Sequence, residues 1–110
     1  MNVNNRIKRI AAIVQHEIAQ LIQREAEDPR IKFVTVTDVV VSPDLSHAKI
    51  YITTRGDKDV AEILVILKGM AKSLRHQLAQ NLQLRKTPEL HFFDDEVIRK
   101  GQKIDELLKE

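Results

Sequence analysis

The order of helical and strand periodicity along the chain is the feature that most restricts its fold. Apolar residues recur every three or four positions from residue 5 to about residue 26, which predicts a long amphipathic helix. Asp28-Pro29 is expected to end this helix, because proline cannot continue the helical hydrogen-bond ladder. Two segments rich in β-branched residues follow, 33–42 and 48–55, and the proline, aspartate and serine between them predict an antiparallel hairpin.

Helical periodicity returns after the hairpin, where Asp57 or Asp59 can cap a second long helix. Gly69 lies inside this helix, and glycine costs about 1 kcal/mol relative to alanine in a helix interior. A kink, or a break into two helices, is therefore expected near Gly69. The predicted apolar side of the helix consists of Val60, Leu64, Leu67, Ala71, Leu74, Leu78 and Leu82.

A third strand and a final helix are predicted after Pro88. The strand contains Leu90 and Phe92 on one face, and Asp94-Asp95 precedes the final helix as its cap. The three carboxylates Asp94, Asp95 and Glu96 could be read as a divalent-metal site, but their position favours capping and dipole compensation. The apolar residues of the final helix are Val97, Ile98, Ile104, Leu107 and Leu108.

Together these elements predict an α+β domain of order helix, strand, strand, kinked helix, strand, helix. A three-stranded sheet with the helices packed on one face is the economical arrangement, because the amphipathic helices and the half-apolar sheet each need a partner surface. A chain of 110 residues suits one domain over 1–110, with room for flexible ends at 1–4 and 109–110. It lacks cysteine, a secretory signal and an apolar run of membrane length, so a cytoplasmic protein without disulfides is expected.

Positive charge is concentrated in one part of a chain whose net charge is only +2. Residues 63–88 contain five basic residues and no acidic residue. Lys68, Lys72 and Arg75 recur at the spacing of one helix face, beside the apolar side of the second helix. This stripe favours a surface that faces phosphate groups, although a merely solvated helix face is the simpler alternative.

Further cations extend the candidate phosphate-facing surface. His76 lies four residues after Lys72, and Arg85-Lys86 precedes the third strand. Arg6 and Arg9 share one face of the first helix, turned away from its apolar side, and can also reach a partner.

The sequence contains no motif for catalysis or for binding a cofactor or a metal ion. His16, His47, His76 and His91 lie far apart on different predicted elements, which predicts no metal site. Three glycines form neither a P-loop nor a dinucleotide fingerprint, so no cofactor is expected. A small hydrolase is therefore the remotest functional class.

Several motifs in one order resemble the ribosome-binding factor A family. They are 28–30 (Asp-Pro-Arg), 34–39 (VTVTDV), 41–45 (VSPDL), 48–51 (AKIY) and 84–90 (LRKTPEL), followed by a phenylalanine strand and by Gly101, Ile104, Asp105, Leu107 and Leu108. The resemblance spans nearly the whole chain, and agreement of separate motifs in register is far more specific than one short motif.

This resemblance implies a type II KH fold, no catalytic residues, and binding of free 30S subunits with assistance to 16S rRNA maturation, especially in the cold. The protein is then expected to be a monomer that contacts RNA at the helix kink. The family's kink usually has a small residue, any residue and then glycine, but this chain has Met70-Ala71-Lys72 there. Either Gly69 or Ala71 forms the bend, or the helix is straighter than usual.

A protein-interaction adaptor is the main alternative to an RNA-binding assembly factor. Such an adaptor would use its sheet edge or the long first helix, and its basic stripe would only be solvated. Salt separates the two functions, because phosphate binding weakens steeply with ionic strength and an apolar interface does not.

Overall fold

Two long helices and a three-stranded sheet form the part of the chain that the computed structural model describes, residues 3–55 and 59–96. Helix α1 spans Val3–Glu25 and is followed by a 3₁₀ turn at Pro29–Phe33. Strands β1 and β2 span Val34–Val41 and His47–Thr54, helix α2 spans Val60–Leu82, and strand β3 spans Glu89–Asp94. The predicted α+β order is confirmed, while the predicted final helix lies outside the described residues.

The sequence does not predict the 3₁₀ turn, since Asp28-Pro29 is expected there only to end the first helix. The Asp28 carboxylate accepts the Arg30 backbone N–H at 2.9 Å and caps the turn, and Pro29 starts it. The Arg30 guanidinium also bonds Asp28 at 2.7 Å and Glu62 at 2.8 Å, which ties the turn to the start of α2. Asp28-Pro29 thus begins a new turn after α1 has already ended at Glu25.

Strand β2 is the centre of a mixed sheet of order β1-β2-β3. It pairs antiparallel with β1, as the hairpin prediction required, and parallel with β3. A register shift between Val36 and Asp38 keeps Val39 and Val41 on the buried face. Because β2 and β3 run parallel, α2 is the crossover connection that joins them.

The core lies between one face of the sheet and the two helices. Helix α1 contacts β1, α2 contacts β3, and the helices contact each other, which confirms that they cover one face. An Asn81 side-chain amide donates to Glu17 at 2.9 Å across the helix pair. Fully buried side chains include Ile18, Leu21 and Ile22 of α1, Ile50 and Ile52 of β2, and Leu67, Leu74 and Leu78 of α2.

Helix α2 is continuous through Gly69, so of the two alternatives expected there the break into two helices is excluded. A Cβ placed on Gly69 would meet no atom within 4 Å, and the glycine does not have a positive φ. Asp59 caps the start of the helix, because its carboxylate accepts the Ala61 N–H at 3.0 Å, and Gln83 caps its end in the left-handed region (φ 49°). A bend at Gly69 or Ala71 stays a prediction.

The residues predicted for the apolar side of α2 divide into two rows. Ile63, which was not in the predicted set, is buried with Leu67, Leu74 and Leu78 and forms the core row. Val60, Leu64 and Ala71 are only half-buried and lie on the side of the helix that faces β3. This second row, unlike the first, borders an open groove.

Candidate nucleic-acid interface

The groove between α2 and β3 brings the predicted basic stripe together. It has a volume of about 770 Å³ and is lined along α2 by Lys68, Lys72 and Arg75. All three side chains are exposed, as the helical spacing predicted. Apolar residues of α2, most of them half-buried, and the residues of β3 form the rest of its lining.

The three cations of the stripe differ in how firmly they are held. Arg75 donates from Nε and Nη2 to the Thr87 carbonyl at 3.2 and 3.0 Å, which joins α2 to the segment before β3. Among the described residues, the side chains of Lys68 and Lys72 make no hydrogen bond or ion pair. Their ammonium groups can therefore meet an incoming phosphate without first breaking a bond within the described structure.

Two carboxylates from β3 also line the groove, which the charge count along the sequence could not show. Glu89 and Asp94, at the two ends of β3, are both among the residues that line the groove. Asp94 also accepts the backbone N–H of Glu96 at 3.0 Å, the capping contact expected there. These acids lower the local positive potential and limit where a polyanion can bind favourably.

Lys86 lies next to the hairpin turn rather than in the groove. Its Nζ donates to Ser46 Oγ at 2.8 Å. Asp44 in the same turn accepts the Ser42 hydroxyl at 2.8 Å and the Ser46 backbone N–H at 3.0 Å. These hydrogen bonds, the Ser42 hydroxyl foremost, lower the pKa of Asp44 to about 2, with a smaller contribution from the nearby positive charge of Lys86.

The other predicted RNA contacts are exposed but do not line the groove. His76 is close to Gln80, with 3.2 Å between His76 Nε2 and Gln80 Nε2, and Arg85 is exposed before β3. Arg6 and Arg9 are exposed on α1, which packs over β1, the strand at the opposite edge of the sheet from β3. The structure thus brings together Lys68, Lys72 and Arg75, but not the whole predicted set.

The interpretation that the four histidines lie far apart is wrong for His47 and His91. Their ring centroids are 5.1 Å apart, because β2 and β3 are neighbours in the sheet. Among residues 3–55 and 59–96, one cluster of metal-ligand type is found, and it consists of His47, Glu89 and His91. The sequence pattern contains no signal for this pairing, since it depends on which strand lies beside β2.

No helix among the described residues is long and apolar enough to cross a membrane.

Comparison with known proteins gives a consistent result across sequence and structure. The sequence profile of ribosome-binding factor A matches residues 6–108. Ribosome-binding factor A of Pseudomonas aeruginosa (strain UCBPP-PA14) is 44% identical over 108 residues, which cover 96% of this chain and 84% of that protein. The protein of the same name from Pseudomonas fluorescens (strain Pf0-1) is also 44% identical, with 96% and 81% covered.

Structures of proteins of the same name share the fold. The crystal structure of ribosome-binding factor A from Thermus thermophilus superposes with a TM-score of 0.73 at 27% identity, covering 80% of this chain and 94% of that one. A homology model of the Thermus thermophilus factor, fitted into a cryo-EM map of a 30S complex, gives 0.65 at 30% identity and covers 76% and 88%. The observed α+β arrangement is consistent with a KH-like fold. The extent of these matches shows that the chain belongs to the ribosome-binding factor A family.

Proposed function

We propose that this chain binds the free 30S ribosomal subunit in the cytoplasm and assists 16S rRNA maturation late in small-subunit assembly, including in the cold. It acts as a single-domain monomer over 1–110, by binding and not by catalysis, and needs no cofactor for RNA contact. The family membership supports this proposal, as does the similarity to the Thermus thermophilus factor that was fitted into a 30S complex.

The observation that carries the proposal is the exposed stripe of Lys68, Lys72 and Arg75 along one side of α2. A structured RNA presents phosphates at regular spacing, and a row of cations on one helix can meet several of them together. Each phosphate that is neutralised releases condensed counterions, which makes the binding favourable and sensitive to salt. Arg75 is held by the Thr87 carbonyl and so gives the stripe one fixed end.

The remaining cations are proposed as a flank of this surface. His76, Arg85 and Lys86 follow the stripe toward the start of β3. Arg6 and Arg9 on α1 are proposed to contact a separate part of the RNA, because they do not line the groove. The backbone around Gly69 and Ala71 is the proposed point of closest approach, since Gly69 has no side chain and is exposed.

The test is a charge-reversal variant, Lys68→Glu with Lys72→Glu and Arg75→Glu, measured by co-sedimentation with purified 30S subunits at several salt concentrations. We expect loss of co-sedimentation at physiological salt. The slope of log affinity against log salt is expected to be smaller by about 2 units, since about 0.7 unit is lost per phosphate contact. A double variant of Lys68 and Lys72 covers the case in which loss of the Arg75–Thr87 contact unfolds the triple variant.

A matched control carries the same change in net charge elsewhere on the surface. Arg24→Glu, Lys32→Glu and Lys49→Glu replace three exposed residues that do not line the groove. This control is expected to retain most of its 30S binding, because the local potential of the stripe is unchanged. A folded stripe variant that still pellets with 30S like the control would refute this RNA surface. Binding with almost no salt dependence would favour the adaptor function.

A further inference from the structure

The outer face of the sheet carries two histidines and a glutamate at the point where β2 and β3 begin. His47 pairs with Glu89 in the parallel register, and His91 lies two residues further along β3. Ala48 and Leu90, the neighbours of these residues in sequence, are buried against the helices. Because successive strand side chains point to opposite faces, His47, Glu89 and His91 share the face that is open to solvent.

The ligand atoms of these side chains lie close to one another. His47 Nδ1 is 3.0 Å from His91 Nε2 and 3.7 Å from Glu89 Oε2. All three ligand atoms lie within 4.8 Å of one another. Ligands bound about 2.0–2.1 Å from a tetrahedral metal ion are about 3.3 Å apart, so these distances need only small rotamer adjustments to surround one ion.

We propose that His47, Glu89 and His91 form a binding site for a Zn²⁺-type divalent ion. Two imidazole nitrogens with one carboxylate oxygen are a donor set suited to zinc, whereas magnesium and calcium prefer oxygen ligands alone. The His47 and Glu89 side chains are 55% and 58% exposed, so an ion can reach them from solvent, and water can fill the remaining coordination position. The neighbouring Lys49, register partner of His91, opposes the ion's charge and sets a limit on affinity.

A metal bound here would join two strands that are distant in sequence. His47 belongs to β2 and His91 to β3, and 44 positions separate them. An unfolded chain does not hold these ligands together, so binding free energy appears as folding stability. The alternative is a hydrogen bond between the two rings, in which one ring N–H donates to the other nitrogen at 3.0 Å. That arrangement predicts no response to zinc.

The experiment uses the full chain without a histidine affinity tag, titrated with ZnCl₂ by isothermal titration calorimetry in a weakly chelating buffer near neutral pH. We expect one ion per chain and at least tenfold weaker binding in His47→Gln, His91→Gln and Glu89→Gln, measured singly. At free zinc ten times the dissociation constant, the folding equilibrium constant should rise about 11-fold, and thermal melts should shift upward.

The control is His16→Gln, because His16 is exposed on α1 and its ring lies beside Gln20 of the same helix. It should bind zinc like the original protein. Absence of binding at 1 mM ZnCl₂ would overturn the proposal, and so would full affinity in either variant of His47 or His91. Full affinity in Glu89→Gln would overturn the three-ligand site. Circular dichroism checks that each variant is folded, which is expected because these side chains lie on the solvent face of the sheet.

Discussion

Replacement of Gly69 by alanine tests whether α2 is a regular helix where the sequence predicts a bend. Gly69 is the tenth residue of the 23-residue helix α2, and no atom lies within 4 Å of the position that an added Cβ would take. The substitution therefore gains helix propensity without a steric cost. We expect Gly69→Ala to raise the free energy of unfolding by up to about 1 kcal/mol. In a domain of this size, that corresponds to a rise in Tm of about 4 °C.

The measurement is urea unfolding followed by circular dichroism, with Ala79→Gly as the mirror-image control. Ala79 is exposed in the same helix, so its replacement by glycine should lower stability by about 1 kcal/mol through propensity alone. A lower unfolding midpoint for Gly69→Ala would refute the regular helix and favour a glycine-dependent bend. A stabilised variant with normal 30S co-sedimentation would remove Gly69 from the RNA contact, whereas a stabilised variant that binds weakly would place it there.

The remaining predictions concern the core and the response to acid. In the urea assay, Ile50→Ala should lower the free energy of unfolding by about 2–5 kcal/mol, because Ile50 is 0% exposed in the central strand. The control Val40→Ala should lower it by less than about 1 kcal/mol, because Val40 is 48% exposed. Hydrogen bonds from the Arg30 side chain to Asp28 and from the Ser42 hydroxyl to Asp44 lower the pKa of each carboxyl from 3.8 to about 2. Both pKa values are lower in the folded than in the unfolded protein, so the free energy of unfolding should fall as the pH drops from about 4 to 2. Urea midpoints measured across that range should fall less steeply for Asp44→Asn. An unchanged dependence of the midpoint on pH in this variant would contradict the lowered pKa of Asp44.

The elements of the fold could be predicted because each has a local signal of its own. Helical spacing marks α1 and α2, and β-branched alternation with a proline-aspartate turn marks the hairpin. The 3₁₀ turn was missed because Asp28-Pro29 can both stop one helix and start another turn, and the residues alone do not decide between these roles. Ile63 was missed because helical spacing also fits the half-buried row that borders the groove.

The residues that gather around β3 were harder to predict, because they depend on which strand pairs with β3. Helix spacing was sufficient to place Lys68, Lys72 and Arg75 in one exposed stripe. Sequence alone does not say which strand pairs with which across a long connection. The parallel pairing of β3 with β2 brings both Glu89 and His91 to His47, and this consequence has no local pattern.

The position of β2 also has a consequence for how this protein is made. Its first neighbour, β1, precedes it in the chain and is joined by a short turn, while its second neighbour, β3, follows only after the whole of α2. A chain growing from its amino end can therefore form the hairpin early, but one edge of β2 keeps its backbone N–H and C=O groups unpaired until residue 94 has been synthesised. Fragments that stop within α2 present this open edge beside the apolar side chains of Ile50 and Ile52, and these are the products in which strand-to-strand aggregation is to be expected.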